Sequence, residues 1–187
     1  MSNKSKGSAF ERVVAKAIAD FLGVTNKEVF RSQPKSPFDQ LHGDIHIPDN
    51  LKGKFPFCVE VKTESNTWTL EGFLNGTNTR YLDWAEQILD NVQGDDIPVV
   101  FFKKDRSPTF VYMPTCFCIA EYEHTETALL LPSGCGCVIT EKLFFTITKD
   151  FKEDYFNVGC MFGHNASEYS NILEIKKHVR QTKKKKS

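Results

Sequence analysis

Gly43-Asp44 enters a short run, Asp44-Ile45-His46-Ile47, and a second run reads Phe57-Cys58-Val59-Glu60-Val61-Lys62. Both alternate polar and apolar residues, as strands with one wet face do. Asp44 and His46 then share one face of the first run. Cys58, Glu60 and Lys62 share one face of the second. Two carboxylates and a lysine on neighbouring strands could hold a magnesium ion and a water beside a phosphodiester. Hydrolysis of that bond needs a positioned nucleophile, charge relief at the phosphate and a stabilised leaving group. Magnesium supplies much of this, and proteins ordinarily hold it with one or two carboxylates plus waters. Asp44 and Glu60 could reach one ion, with the Val61 backbone carbonyl as a third ligand. The Lys62 ammonium projects to the Glu60 side, where it could orient or activate the attacking water and offset the developing negative charge.

Glu-x-Lys by itself says little, because alternating charge on a strand's solvated face is ordinary. Three features add weight: the upstream Gly-Asp, the apolar residues alternating through both segments, and an amphipathic helix bearing Glu11 ahead of both. In that helix Phe10, Val13, Val14, Ala17, Ile18, Phe21 and Leu22 follow the helical repeat, and Gly23 ends it. Ser8 fits an N-cap, with Glu11 three residues on to complete a capping box. Alternatively Glu11 flanks the buried stripe and looks into a cleft between helix and sheet.

Val29-Phe30 reads as a strand, and the prolines at 34 and 37 break regular structure after it. Pro48-Asp49-Asn50 is a turn, so the two alternating runs form a hairpin or two adjacent strands. Residues 63 to 78 read as a polar loop. A second helix is expected over 79 to 93, with Tyr81, Trp84, Ala85, Ile88, Leu89 and Val92 as its stripe and Gly94 as its C-cap. Pro98 to Phe102 is a strand buried on both faces, and Thr109 to Met113 its hairpin partner. Ala128 to Leu131, Cys137 to Thr140 and Leu143 to Thr148 also read as strands. The expected fold is α/β: a mixed central β-sheet flanked by helices, with a β-rich C-terminal extension. The expected organisation is a core over 1–113, an extension or small appendage over 114–175, and a disordered basic tail over 176–187.

The chain has 187 residues, 40% hydrophobic and 26% charged, as in a soluble globular domain. No run is long and apolar enough for a transmembrane helix, and the polar N-terminus lacks a signal core, so a cytoplasmic protein is expected. The zero net charge conceals an asymmetry. The last twelve residues carry seven of the 24 Lys and Arg and no acid, leaving 17 basic against 24 acidic residues in the body. Such a tail, with Lys176, Lys177 and Arg180, could serve as an arm for an anionic polymer or as a solvated terminus. Cys116-Phe117-Cys118 and Cys135-Gly136-Cys137 offer four thiolates to a zinc ion, but with one intervening residue rather than the usual two. Small buried hydrophobes are the plainer reading of these cysteines. Asp39 and His42 could add ligands to the acidic site, or simply belong to turns. The aromatic residues after 110 could stack bases, but their strand-like settings favour core packing.

Lys6-Gly7-Ser8-Ala9-Phe10-Glu11-Arg12, Gly43-Asp44-Ile45-His46-Ile47 and Phe57-Cys58-Val59-Glu60-Val61-Lys62, in this order, resemble the PD-(D/E)XK nuclease superfamily. Within it they are most similar to the Holliday junction resolvases of archaea and phages. The resemblance runs over about residues 6 to 113, through the helix of Trp84 and Gln87 into the strand at 98–102. It implies a restriction-endonuclease-like core, with Asp44 and Glu60 as metal ligands and Lys62 as catalytic lysine. Glu11 would be a further acidic site residue near a second metal or a bound water. Gln87 looks like the glutamine that some relatives bring to the site, and Arg31 and Ser32 like residues that touch the DNA backbone, with Lys35 beside them. Implied too are Mg2+ as cofactor, Mn2+ as its substitute, branched or duplex DNA as substrate, and a homodimer. The proline that often precedes the aspartate is replaced by His42-Gly43, and the loop over 63–78 is longer than in compact resolvases. A phage-type endonuclease or exonuclease acting on duplexes or ends, and a DNA-binding module retaining the fold, are the alternatives.

Overall fold

A computed structural model of the chain describes residues 3–32, 43–64, 69–75, 77–78, 80–92, 96–114, 129–130, 136–149 and 181. Helix α1 (Asn3–Leu22) buries Phe10, Val14, Ala15, Ile18 and Ala19. Val13, expected in the apolar stripe, is 54% exposed instead. The helix begins well before Ser8, so Ser8 is an interior residue and the expected capping box with Glu11 does not form. Gly23 adopts φ +69°, and Val24 donates its amide back to the Ala19 carbonyl at 3.0 Å. A left-handed residue closes the helix there at little steric cost because it has no Cβ.

Strand β1 (Phe30–Arg31) pairs antiparallel with β2 (Ile45–His46), Phe30 opposite His46 and Arg31 opposite Ile45. Val29 is buried, whereas Phe30 is exposed and packs its ring on the His46 imidazole. A one-turn helix, α2 (Asp49–Lys52), follows where a turn was expected. The two alternating runs do not form a hairpin. They are adjacent through a parallel bridge between Gly43 and Val59 on β3 (Phe57–Glu64).

Among the described residues the main sheet has five strands in the order β3, β4 (Ile97–Lys104), β5 (Phe110–Pro114), β7 (Gly136–Thr140), β6 (Leu129–Leu130). β3 and β4 are parallel, with Glu60 opposite Val100 and Lys62 opposite Phe102, and the remaining pairs are antiparallel. The sheet is therefore mixed, as expected. A parallel pair needs a crossover, which α3 (Leu70–Leu74) and α4 (Arg80–Asn91) supply. The first of these lies where a polar loop was expected. Thr69 caps it by accepting the Gly72 amide at 2.9 Å. Gly94, the expected cap of α4, lies outside the described residues.

Ile97 to Phe102 are all buried, and their alternation supplies two cores. Val99 and Phe101 pack with Phe57, Val59, Val61 and the stripe of α1. Val100 and Phe102 pack with Cys58, Tyr112 and the α4 residues Tyr81, Trp84, Ala85, Ile88 and Leu89. Full burial of one such side chain contributes about 1.5–3 kcal/mol. Four or more on α4 thus fix that helix, and with it the residues on its polar flank.

Leu143 to Thr148, expected as a strand, belong to helix α5 (Glu141–Lys149). Thr140 caps it, accepting the Leu143 amide at 3.3 Å. The β-branched residues that suggested a strand are accommodated because Thr146 and Thr148 donate their hydroxyls to the carbonyls of Lys142 and Phe144. Phe144 and Thr148, one turn apart, are both buried. Among the described residues no helix is long and apolar enough to cross a membrane.

Candidate active site

Gly43 approaches β3 so closely that a Cβ on it would lie 2.4 Å from the Val59 carbonyl oxygen, and its φ is +78°. Only glycine meets both conditions. The next residue, Asp44, stands where two strands part. Its amide donates to the Val59 carbonyl at 2.7 Å, while its own carbonyl turns away to accept the Ser32 amide at 2.8 Å. Val61, the next residue on β3 facing this edge, would then lack a backbone acceptor. The Asp44 carboxylate fills the gap, with Oδ2 accepting the Val61 amide at 2.8 Å. Because a residue's N–H and C=O leave a strand on the same side, the Val61 carbonyl is also directed to this edge.

Glu60, between Val59 and Val61, has its side chain toward α4 and is only 2% exposed. A carboxylate so buried needs donors, and among the described residues it has three. Lys62 Nζ donates to Oε1 at 2.6 Å, Gln87 Nε2 also donates to Oε1, and Asn91 Nδ2 donates to Oε2 at 3.3 Å. Gln87 and Asn91 lie one helical turn apart on α4 and so reach the same group. Asn91 was not among the sequence candidates. Its signal was the four-residue spacing from Gln87.

Burial, and then the charge of Glu60, push the Asp44 carboxyl from its ordinary 3.8 up to about 7. The Val61 amide and the Lys62 charge oppose that rise, and Glu11 adds to it. The carboxylates therefore lie within electrostatic reach of one another, and the positive charge beside them does not offset desolvation and repulsion at Asp44. Extra positive charge would relieve the strain, and hard carboxylate oxygens are the donors that magnesium and calcium take. Among the described residues no three His, Cys, Asp or Glu side chains form a ready metal cluster. A cation here would rest on Asp44 and Glu60, with backbone oxygen and water.

Glu11, on α1, accepts a hydrogen bond from Arg31 Nε in a half-buried ion pair. Arg31 precedes Ser32, whose amide binds Asp44, so the guanidinium is carried on the strand beside the aspartate. Glu11, Arg31, Ser32, Asp44, Glu60, Val61, Lys62 and Gln87 thus belong to one region of the fold. Lys35, Asp39, His42, Cys116, Cys118, Cys135, Lys176, Lys177 and Arg180 lie outside the described residues, as does the Cys137 side chain, and the zinc and tail readings fall there. The described free cysteine, Cys58, is buried, and its thiol is pushed up to about 12 chiefly by that burial. A thiol so protonated is no nucleophile.

No curated protein and no solved structure matches the chain. A family model does, described as "Phage putative PDDEXK endonuclease", over residues 2–131. The match covers more than half of the 187 residues and contains every side chain just described around Asp44 and Glu60. Asp44, next to a glycine-tight bridge, and the strand-borne Glu60-x-Lys62 accord with that family's name. By that match, the chain belongs to the phage PDDEXK endonuclease family.

Proposed function

We propose that this protein is a magnesium-dependent DNA endonuclease, with Asp44, Glu60 and Lys62 as its catalytic centre. The observation that carries the reading is a half-buried Asp44 carboxylate and a buried Glu60 carboxylate that repel each other beside a lysine. Such a pair is costly to maintain without a counter-charge. The Asp44 and Glu60 carboxylates and the Val61 carbonyl would hold Mg2+, with Mn2+ able to substitute. A bound divalent cation would supply charge relief at the phosphate and a more acidic water.

The remaining work falls to the chain's own groups. Lys62, placed by its bond to Glu60, orients the attacking water and offsets negative charge as the phosphate becomes pentacoordinate. Gln87 and Asn91 keep the Glu60 carboxylate aimed. Arg31, anchored at Nε by Glu11, has its terminal nitrogens for a backbone phosphate, with Ser32 beside it.

For substrate we infer DNA and, from the likeness of residues 6–12, 43–47 and 57–62 to the junction resolvases, four-way junctions cut by a homodimer. Symmetric cleavage of two strands calls for two active sites. The test is cleavage of end-labelled four-way junction, linear duplex and single-stranded DNA, with the oligomeric state measured by light scattering. Paired, symmetric cuts in the junction by a dimer support the resolvase reading. Equal cutting of duplex or ends rejects it in favour of a general nuclease. Binding without cutting in both Mg2+ and Mn2+ leaves a DNA-binding module.

A further inference from the structure

The hydrogen bonds to Glu60 leave its two oxygens unequal. A carboxylate offers about four lone-pair positions, two on each oxygen. Lys62 and Gln87 take both of those on Oε1, and Asn91 takes one on Oε2. Among the described residues no further donor reaches the group, and one position, on Oε2, has no partner among them. The Asn91 contact, at 3.3 Å, is the longest of the three. It is also the only one that restrains Oε2. Without it, the carboxylate could turn about its terminal bond and present both oxygens outward, giving up the Gln87 bond at the partly exposed rim. The direction of the Asn91 amide is fixed by chemistry, since an ionised carboxylate can only accept.

The two modes suit different cations. Magnesium is small, demands near-octahedral geometry and takes one oxygen from each of one or two carboxylates. Calcium is larger, tolerates six to eight oxygens and readily accepts a carboxylate through both. We propose that Asn91 is a positioning residue that holds Glu60 as a one-oxygen ligand and thereby favours a small divalent cation over calcium. The inference rests on the reading that Asp44 and Glu60 hold a divalent cation, and it adds to that reading how the ion is chosen. Asn91 suits the task by position. It is the last residue of α4, and that helix is fixed by Trp84, Ile88 and Leu89 in the core.

The experiment is calorimetric titration of the full chain, without DNA, with MgCl2, MnCl2 and CaCl2. It compares wild type, Asn91→Ala and Asn91→Leu, each first confirmed as folded by its thermal melt. The leucine keeps the asparagine's branched shape and is the better helix former, so it reads the loss of the donor should the alanine variant fail to fold. Changes to groups that orient metal ligands typically alter affinity 10–100-fold. The expected result is a Mg2+-to-Ca2+ affinity ratio reduced about tenfold or more, in calcium's favour. An unchanged ratio, whether both affinities fall together or neither moves, overturns the role of Asn91 while leaving the metal site standing. Wild type that binds none of the three ions overturns the metal reading itself, and this proposal with it.

Discussion

The Asp44 carboxylate and the Val61 amide are joined by a hydrogen bond of 2.8 Å in which a side chain occupies the place of a strand's carbonyl. The bond forms because the Asp44 carbonyl has turned to Ser32. Asp44 therefore closes the gap between diverging strands and at the same time stands beside Glu60. The fold holds a carboxylate where burial and a like charge oppose its ionisation.

That opposition has a sign. The Asp44 carboxyl titrates near 7 in the folded chain against 3.8 unfolded. Below about pH 4 both states are protonated and no penalty exists. As pH rises toward 7 only the unfolded state ionises, so stability falls, and above 7 the penalty stays constant. Asp44→Asn can still accept from Val61 and carries no charge. It should stabilise the metal-free protein by on the order of 1–4 kcal/mol at pH 8, with the gain vanishing near pH 4. Thermal melts in EDTA across that range measure it, and a gain that is flat with pH contradicts the assignment.

Metal affinity should follow the same titration. A cation needs Asp44 ionised, so binding of Mg2+ should weaken about tenfold per unit as pH drops below 7 and level off above it. Calorimetry at pH 5.5, 6.5, 7.5 and 8.5 provides the curve. A plateau extending down to pH 5 means that Asp44 is no ligand.

Gly43 is the most sensitive backbone position of the site. Gly43→Ala places a methyl 2.4 Å from the Val59 carbonyl oxygen at a φ of +78°. Strain of about 1–3 kcal/mol from the dihedral alone is expected, with steric displacement added. Denaturant unfolding should show the loss, and DNA cleavage should fall further than stability does, because the shifted bond is the one that sets Asp44. Full activity in a folded alanine variant contradicts the role given to this bridge.

Arg31 and Glu11 should behave as one unit in DNA binding. Arg31→Ala removes one phosphate contact, lowering affinity and flattening the salt dependence by about one ion. If Glu11 serves to hold Arg31, Glu11→Gln weakens binding as well, and the double variant is no worse than Arg31→Ala. A double-mutant cycle with a labelled duplex gives the coupling, expected at about 0.5–3 kcal/mol. Additive losses, together with weaker metal binding in Glu11→Gln, identify Glu11 as a metal ligand instead.

The parts of this site that follow period-two alternation were legible in the sequence. Glu60 and Lys62 read correctly as sharing a side, and Pro98 to Phe102 as buried on both faces, because strand periodicity is a local property. The mixed sheet flanked by helices followed from the order of the elements. Features that depend on tertiary context were not legible. Ser8 has the chemistry of a helix cap, but the helix continues past it. Residues 143–148 have strand composition, yet Thr140 caps them into a helix that buries Phe144. Asn91 is an unremarkable polar residue until α4 is laid on β3, and the Glu11–Arg31 pair joins elements that no local pattern connects. The parallel bridge at Gly43, read as a possible hairpin, depends on a close approach that only the assembled fold reveals.

Under the proposed function, Asp44, Glu60 and Lys62 cut DNA with a divalent cation. The most direct measurement is cleavage of labelled junction and duplex DNA in Mg2+ and in EDTA, by wild type, Lys62→Ala and Glu60→Gln. That function predicts cleavage by wild type in Mg2+ alone, a drop of about 10²–10⁴-fold in each variant, and DNA binding retained by Lys62→Ala within a few fold. Cleavage that survives in EDTA, or that persists undiminished in both variants, contradicts it.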